Sequence, residues 1–353
     1  MNDDSLAFLR SLIEAPSPSG YEQPAARVVR RRMEGIADEV RTDVHGNTIC
    51  VLNPSGKVRV MLAGHCDQIG FMVRYVNEQG FISFAAIGGF DENLVPGNRV
   101  VIHAADGPVP GVVGKKPIHL MEAEERKKTA EIKSLWIDIG AASKEEAERV
   151  VQIGDPVTFE LTMGRLMNDR LVAPGFDNKM GTFVVMEVMR LLKGEPIDAA
   201  LHCVATVQEE IGLRGAKTSA HGIDPHVGLA CDVGFASDYP GVEKTQVGET
   251  ALDKGPIIAR GANVNPVVFE MLMAAAREGR IPHQVSGVPR ATGTDANFIQ
   301  ICRAGVAAGL VSVPNRYMHT PVEVIAVKDL EHTAQLLAAF VRRVNEQVDF
   351  TPQ

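Results

Sequence analysis

Two adjacent carboxylates, Glu209 and Glu210, stand at the end of an apolar run and could together do metal-assisted acid–base chemistry. The run over 201–207 predicts a buried strand, which Gly212 bounds. A carboxylate beside a core strand must be paired, protonated or bound to a metal ion. Strand alternation would point the two side chains to opposite faces, so both serve one site only if the chain leaves the strand, which Gly212 allows. One glutamate could then hold a metal ion while the other handles a proton; a solvated pair on a surface helix is the competing interpretation.

Further side chains of metal-ligand type lie next to other predicted elements. Open α/β sheets bind ligands beyond the carboxyl ends of their strands, so these residues are predicted to converge on one edge. Imidazole and carboxylate donors together suit zinc, cobalt or manganese better than calcium. Two such ions about 3.5–4 Å apart need a bridging carboxylate, the arrangement of aminopeptidases and phosphatases. The candidates are His65, Asp67, Asp232 and His319 after strands, and Asp177 before a buried helix.

The elements that must position these residues form an α/β sheet with a β insert. Helices are predicted over 3–14, from about 22, and over 179–192, 266–278 and 328–345. Strands are predicted near 39–44, 48–53, 58–63, 201–207, 227–231 and 305–313. The predicted fold class is therefore a mixed-sheet α/β/α domain, discontinuous over residues 1–68 and 165–353.

Residues 69–164 differ in character, because short strand-like segments alternate there with glycine, proline and asparagine turns. This pattern predicts a small inserted β-barrel or sandwich, with one short helix near 143–151. The charged stretch 121–129 is predicted to be a mobile loop.

Composition excludes several classes of function. The 353-residue chain has a formal net charge of −8 and no basic block, so nucleic acid and anionic membranes are poor partners. No apolar run approaches the roughly 20 residues of a membrane span, and the N-terminus lacks a signal-peptide pattern. Five scattered cysteines, mostly in apolar runs, predict reduced core thiols and a cytoplasmic location.

Five ordered motifs carry a family resemblance. They are AGHCDQIGFMV (63–73), GFDNK (175–179), VQEEIG (207–212), CDV (231–233) and RYMHTPVE (316–323). Shorter matches at IGGF (87–90), GKKPIH (114–119) and GTDA (293–296) extend the likeness over essentially the whole chain. Together they resemble the tetrahedral (TET) aminopeptidase family of dinuclear metallopeptidases, which includes glutamyl and deblocking aminopeptidases.

The resemblance implies two divalent metal ions per subunit, zinc or cobalt, with manganese compatible with the same donors. His65 and Asp232 would hold one ion. Glu210 and His319 would hold the other, and Asp177 would bridge the two.

The resemblance also implies a reaction and an assembly. Metal-activated water would remove N-terminal residues from short peptides, with Glu209 as the general base that passes a proton to the leaving amine. Asp67 would hydrogen-bond His65 and fix its tautomer. The insert over 69–164 would be a dimerisation domain, and dimers would assemble into a tetrahedral dodecamer whose active sites face an interior cavity.

Four further residues are candidates for substrate contact. Thr294 and Asp295 could hold the free ammonium group of a peptide, although a turn-stabilising role competes evenly. Arg316 could pair a substrate carboxylate, but bracing its own loop is the favoured interpretation. His119 could reach an active site of a neighbouring subunit or be an ordinary exposed histidine. Gln68 stands where the family pattern suggests an acidic residue, which predicts tuning rather than loss of activity.

Three other functions remain open from the residues alone. A metal-dependent deacylase of N-acyl amino acids or peptides would use the same sheet and metals but would not require a free N-terminus. A glycosidase, as in an endoglucanase-type label, would use paired carboxylates and resist chelators. A non-enzymatic metal-stabilised scaffold would bind metal without turnover.

Overall fold

The computed structural model describes residues 1–353 and contains one large mixed sheet, one small sheet and one closed barrel. The helices are α1 (Asp3–Glu14), α2 (Gln23–Met33), α3 (Ala123–Arg126), α4 (Lys144–Glu148), α5 (Phe176–Leu192), α6 (Arg214–Ile223), α7 (Lys244–Val247), α8 (Pro266–Gly279), α9 (Ala296–Gln300) and α10 (Val327–Val341). The strands are β1 (Glu39–Thr42), β2 (Thr48–Leu52), β3 (Arg59–His65), β4 (Gly70–Val76), β5 (Ile82–Ile87), β6 (Arg99–Ala104), β7 (Gly107–Gly114), β8 (Trp136–Asp138), β9 (Pro156–Phe159), β10 (Gly164–Leu166), β11 (Arg170–Ala173), β12 (Ala200–Thr206), β13 (Val227–Phe235), β14 (Ile257–Gly261), β15 (Gln284–Val288), β16 (Ala307–Asn315) and β17 (Glu323–Ala326).

The large sheet has eight strands in the order β1-β2-β12-β3-β13-β16-β14-β15. Its four central strands, β12, β3, β13 and β16, run parallel to one another. Parallel neighbours end at the same edge, so the residues that follow these strands are brought together. The predicted α/β fold with a separate β insert is confirmed.

Helices cover both faces of this sheet. On one face, α1, α5, α8 and α10 pack into a core cluster of 57 buried residues. On the other face, α6 and α9 contribute to a smaller cluster of 10 buried residues. Strands covered on both faces need apolar side chains throughout, which is why β12 reads as a continuous apolar run and not as an alternating one.

Helix α5 lies closest to the middle of the sheet, and it is buried nearly all round, as its sequence predicts. A close backbone approach between Gly64 on β3 and Gly181 on α5 makes this possible. A Cβ added at Gly64 would lie only 2.4 Å from the carbonyl carbon of Gly181. Thr182 Oγ1 also donates to the Gly64 carbonyl at 2.9 Å. The start of α5, which carries Asp177, is thereby held against the end of β3, which carries His65.

The insert forms a closed barrel of six strands in the order β4-β5-β8-β7-β6-β9. Its own core has 16 buried residues, and the ring of Phe71 stacks on Phe90 with centroids 4.5 Å apart. The charged stretch predicted as a mobile loop contains the helical turn α3 instead. Glu122 and Glu125 form a capping box there, which satisfies backbone donors that would otherwise favour an open loop.

Several elements were not predicted. These are α6, α7, α9, β14, β15 and the small sheet β10-β11-β17. Most of them have only three to five residues, too few to show a clear helical or strand period. Helix α6 has ten, but its buried face consists mostly of the small residues Gly215, Ala216, Ser219 and Ala220, which give a weak apolar signal. The last helix ends at Val341, earlier than the predicted residue 345. No helix is both long enough and apolar enough to cross a membrane.

Candidate metal centre

The first histidine of the site, His65, is the last residue of β3 and is only 1% exposed. Asp232 lies on the neighbouring parallel strand β13, with its Oδ1 at 3.8 Å from His65 Nε2. Asp177, the second residue of α5, has its Oδ1 at 3.3 Å from the same nitrogen. Three side chains from a strand, its neighbour and the covering helix therefore meet at one point.

The glutamate pair follows β12, where the chain turns away from the sheet. The turn begins at Gln208, which has a φ of 55°, and not at Gly212 as the sequence suggested. A left-handed residue other than glycine is uncommon and is often found where a site requires it. Two backbone amides after this residue, those of Glu209 and Glu210, are held by Asp67, at 3.0 Å from Oδ1 and 3.1 Å from Oδ2. Both glutamate side chains can then serve one site.

The second histidine, His319, also has a left-handed backbone, with a φ of 60°. Its Nε2 lies 3.2 Å from Asp177 Oδ2 and 3.6 Å from Glu210 Oε2. Asp177 therefore presents one oxygen to each histidine, which is the geometry of a bridging carboxylate. The peptide bond between Asp177 and Asn178 is cis.

In both histidines, a backbone carbonyl contacts Nδ1 and so orients Nε2 toward the site. His65 Nδ1 lies 3.1 Å from the carbonyl oxygen of Asp67, and His319 Nδ1 lies 3.0 Å from that of Gly89. A carbonyl accepts only, so each Nδ1 donates, and in the neutral form of each ring this leaves the Nε2 lone pair free to bind a metal ion. The Asp67 carboxylate is 3.5 Å from His65 Nδ1, so the main chain of Asp67 makes the closer contact and its side chain chiefly holds the glutamate turn.

These residues fit two divalent ions. Ligands at about 2.0–2.2 Å from a tetrahedral ion lie roughly 3.3–3.6 Å from one another. The distances from each Nε2 to Asp177, and from His319 Nε2 to Glu210, are 3.2–3.6 Å, and Asp232 is 3.8 Å from His65 Nε2. Glu210 Oε1 is buried without any hydrogen-bond partner. A cation between the donors would satisfy this oxygen.

The electrostatics also call for a cation. Burial raises the pKa of Glu209 to about 9, with further contributions from the carboxylates of Asp232, Asp295 and Asp177. Burial likewise raises the pKa of Asp232 to about 8. Burial alone would lower the pKa of His65, but the surrounding carboxylates outweigh it and raise that pKa well above its usual value. So many buried acids around one histidine must be neutralised, either by protons or by a bound cation.

The candidate substrate residues have different surroundings. Asp295 is buried, and its Oδ2 accepts from Thr206 Oγ1 at 2.5 Å behind the site, with its pKa raised to about 6 by burial. Thr294 Oγ1 bonds Thr292 Oγ1 at 2.8 Å in the adjacent loop. Arg316 makes a two-point ion pair with Asp238, at 2.8 and 2.7 Å, which braces its loop.

Two other residues named from the sequence lie outside the ligand set. His119 is exposed in a 3₁₀ turn of the insert. Gln68 is buried with its amide against Gly175, just before Phe176 and Asp177, and its Oε1 has no partner. All five cysteines are buried and unpaired, as expected for core thiols.

Sequence reasoning missed four supporting residues. Glu22 accepts the amide of Gln208 at 3.2 Å, and Gly89 supplies the carbonyl for His319. Lys179, fully buried, donates to the carbonyls of residues 13 and 15 at 3.1 and 2.6 Å, and burial lowers its pKa to about 7. Glu323 accepts the backbone amides of Asp177 and His319. Glu323, Gly89 and Lys179 had a signal, since all three lie within motifs that carry the family resemblance, whereas Glu22 had none.

Comparison with known proteins identifies relatives along the whole chain. The model of the M42 glutamyl aminopeptidase family matches residues 46–336. The lysyl aminopeptidase of Pyrococcus furiosus is 38% identical over 98% of this chain and 99% of its own length.

Solved structures agree with this result. A TET aminopeptidase from a marine-sediment archaeon of the Thaumarchaeota superposes with a TM-score of 0.94 at 34% identity, covering 98% of both chains. The TET1 peptidase of Pyrococcus horikoshii superposes with a TM-score of 0.87 at 28% identity, covering 96% of this chain and 100% of that one.

Proposed function

This chain belongs to the M42 glutamyl aminopeptidase family and is a metal-dependent aminopeptidase, and we propose that Glu209 is its general base. Glu209 lies beside the ligand set and not within a hydrogen-bonded pair, since His65 Nε2 is 3.6 Å from its Oε2. Burial raises its pKa in the metal-free protein, and the positive charge of bound metal ions would oppose this shift and favour the ionised carboxylate that a general base requires. The single observation that carries this proposal is the placement of the two glutamates, with Glu210 against His319 and Glu209 against His65.

We propose that the site holds two ions, zinc or cobalt, with manganese as a third candidate. His65 and Asp232 would bind one ion, Glu210 and His319 the other, and Asp177 both. When bound, such a pair would polarise the substrate carbonyl and favour ionisation of the attacking water. Asp67 keeps both glutamates in position while Glu209 takes up the proton and transfers it to the leaving amine.

The substrates proposed are short peptides with a free N-terminus. The relative from Pyrococcus furiosus bears the name lysyl aminopeptidase, so a lysyl amide is the first substrate to try and a glutamyl amide the second. The test is a panel of aminoacyl chromogenic amides and of free and N-acetylated peptides, assayed before chelation, after it, and after addition of zinc or cobalt. Cleavage of free N-termini only, abolished by chelation and restored by metal, is the expected result. Cleavage of the acetylated peptides would favour a deacylase, and metal binding without turnover would favour a scaffold.

The proposed organisation has a catalytic domain made of residues 1–68 and 165–353 and an inserted dimerisation domain over 69–164. The barrel carries exposed apolar side chains, among them Ile118 and Leu120 at 60% and 67% exposure, which a partner subunit could cover. The TET1 peptidase of Pyrococcus horikoshii assembles into a tetrahedron or an octahedral shell. A tetrahedral dodecamer is accordingly proposed here, to be tested by light scattering on the purified protein. The buried, unpaired cysteines support a cytoplasmic location.

A further inference from the structure

Glu323 lies at the base of the loop that carries His319. It is the first residue of β17, where it pairs with Ala173 of β11, the strand that leads into Asp177. The loop is closed by reciprocal backbone hydrogen bonds between Arg316 and Val324, each 3.0 Å long. Glu323 therefore lies where the strand that precedes Asp177 pairs with the strand that follows His319.

Glu323 is 1% exposed, and its side chain contacts the backbones of Asp177 and His319. Its Oε2 accepts the amide of Asp177 at 2.8 Å, and its Oε1 accepts the amide of His319 at 3.3 Å. Asn315 Nδ2 lies a further 3.4 Å from Oε2. Every group directed at this carboxylate is an N–H donor, so the pocket is built for an acceptor with two oxygens.

This arrangement mirrors the one on the other side of the site. Asp67 uses its two oxygens to hold the amides of Glu209 and Glu210. Glu323 uses its two oxygens to hold the amides of Asp177 and His319. We propose that Glu323 is a positioning residue that sets the separation of Asp177 and His319 and so determines the affinity of the site for metal. This inference rests on the proposed ligand roles of those two residues.

The competing explanation is that Glu323 merely caps a helix. Gly175, the N-cap residue before helix α5, offers no side-chain cap, and a carboxylate near a helix N-terminus is stabilising in its own right. A cap alone would affect the stability of the fold but not the separation of the ligands. Helix capping does not explain the contact from Glu323 to His319, because His319 lies outside that helix.

The test compares Glu323→Gln with Glu187→Gln. Glu187 is equally a buried glutamate of the α5 region, but it bonds Ser5, Arg32 and Arg190 away from the site. A glutamine at 323 would retain one acceptor and turn an N–H₂ group toward the remaining amide. Metal affinity is measured by competition with a chromophoric zinc chelator, and ligand geometry by the visible absorption of the cobalt-loaded protein.

The expected result for Glu323→Gln is a loss of metal affinity of about 10–100-fold, as for other groups that orient metal ligands, with an altered cobalt spectrum. Glu187→Gln should melt at a lower temperature but bind metal like the wild type. Wild-type affinity and spectrum in Glu323→Gln would overturn the inference while leaving the metal centre intact. If that variant does not fold, Glu323→Asp, which keeps a shorter carboxylate, replaces it, and wild-type affinity there would overturn the inference as well. A wild-type protein that binds no metal would instead refute the proposed metal centre itself.

Discussion

The carboxylate of Asp67 accepts the backbone amide of Glu209 at 3.0 Å, across 142 residues of chain. Its second oxygen accepts the amide of Glu210 and the hydroxyl of Ser19, at 3.1 and 2.6 Å. Because His65 Nδ1 lies closer to the carbonyl of Asp67 than to its carboxylate, this side chain chiefly fixes the glutamate turn. The proposed base and the proposed ligand beside it are therefore oriented by one buried acid.

Substitution of Asp67 should therefore act through the glutamates. Asp67→Asn keeps one acceptor but turns an amide N–H₂ toward donors, so we expect kcat and metal affinity each to fall by about 10–100-fold. Ser19→Ala is the matched control, because it removes one donor and leaves both glutamate contacts in place. Steady-state kinetics and metal titration measure the two effects. Equal behaviour of Asp67→Asn and Ser19→Ala would mean that the glutamate contacts do not matter.

Glu209→Gln should separate the proton step from metal binding. The variant removes the group that titrates but keeps the contact between Glu210 and His319, so we expect both ions to be retained. We expect kcat to fall by roughly 10²–10⁴-fold, because the proton acceptor is lost. Glu210→Gln provides the contrast, since it should lose metal as well as turnover. Metal content by elemental analysis and kcat on a chromogenic amide decide between them. Loss of one ion from Glu209→Gln would reassign this residue as a ligand.

The barrel is predicted to support the site through Gly88 and Gly89. Gly89 supplies the carbonyl that orients His319, and a Cβ at Gly88 would lie 3.5 Å from Glu210 Cβ and 2.7 Å from Ile69 Cγ2. Gly88 has a φ of 80°, so Gly88→Ala should cost of order 1–3 kcal/mol in the stability of the fold and also weaken metal binding.

Gly97→Ala is the control for that experiment. Gly97 also has a left-handed backbone, with a φ of 84°, but a Cβ there would meet no atom within 4 Å. Thermal denaturation should show that both variants are destabilised, Gly88→Ala more so because its Cβ also meets Ile69, and only Gly88→Ala should lose metal affinity. If the two variants bind metal alike, the barrel does not position His319.

Removal of metal should make stability depend on pH. In the metal-free protein burial raises the pKa of Glu209 from 4.5 to about 9 and that of Asp232 from 3.8 to about 8. At pH values between the unfolded and folded pKa of each group, the folded protein holds more protons than the unfolded chain. The free energy of unfolding therefore decreases as the pH rises through this range. We expect the melting temperature of chelated protein to fall as the pH rises from about 4.5 to about 9, and that of metal-loaded protein to fall less. Parallel curves for the two forms would contradict this explanation.

The sequence by itself determined the family, the α/β fold with its barrel insert, and the types and order of the candidate ligands. Continuous apolar strands such as β12 must be covered on both faces, and parallel strands end at a common edge, so residues after them are brought together. The resemblance is confirmed by the match of the M42 family over residues 46–336. The roles of Asp67 and of the individual ligands stay proposals.

Only the tertiary structure decided which residues hold the ligands in place. The contacts from Glu323 to Asp177 and from Gly89 to His319 join positions 146 and 230 residues apart. No local pattern encodes such pairs, because they depend on how the barrel, the helix and the last loop pack together. The sequence could not predict that Asp295 is buried behind the site, because its exposure is set by neighbours that are distant along the chain.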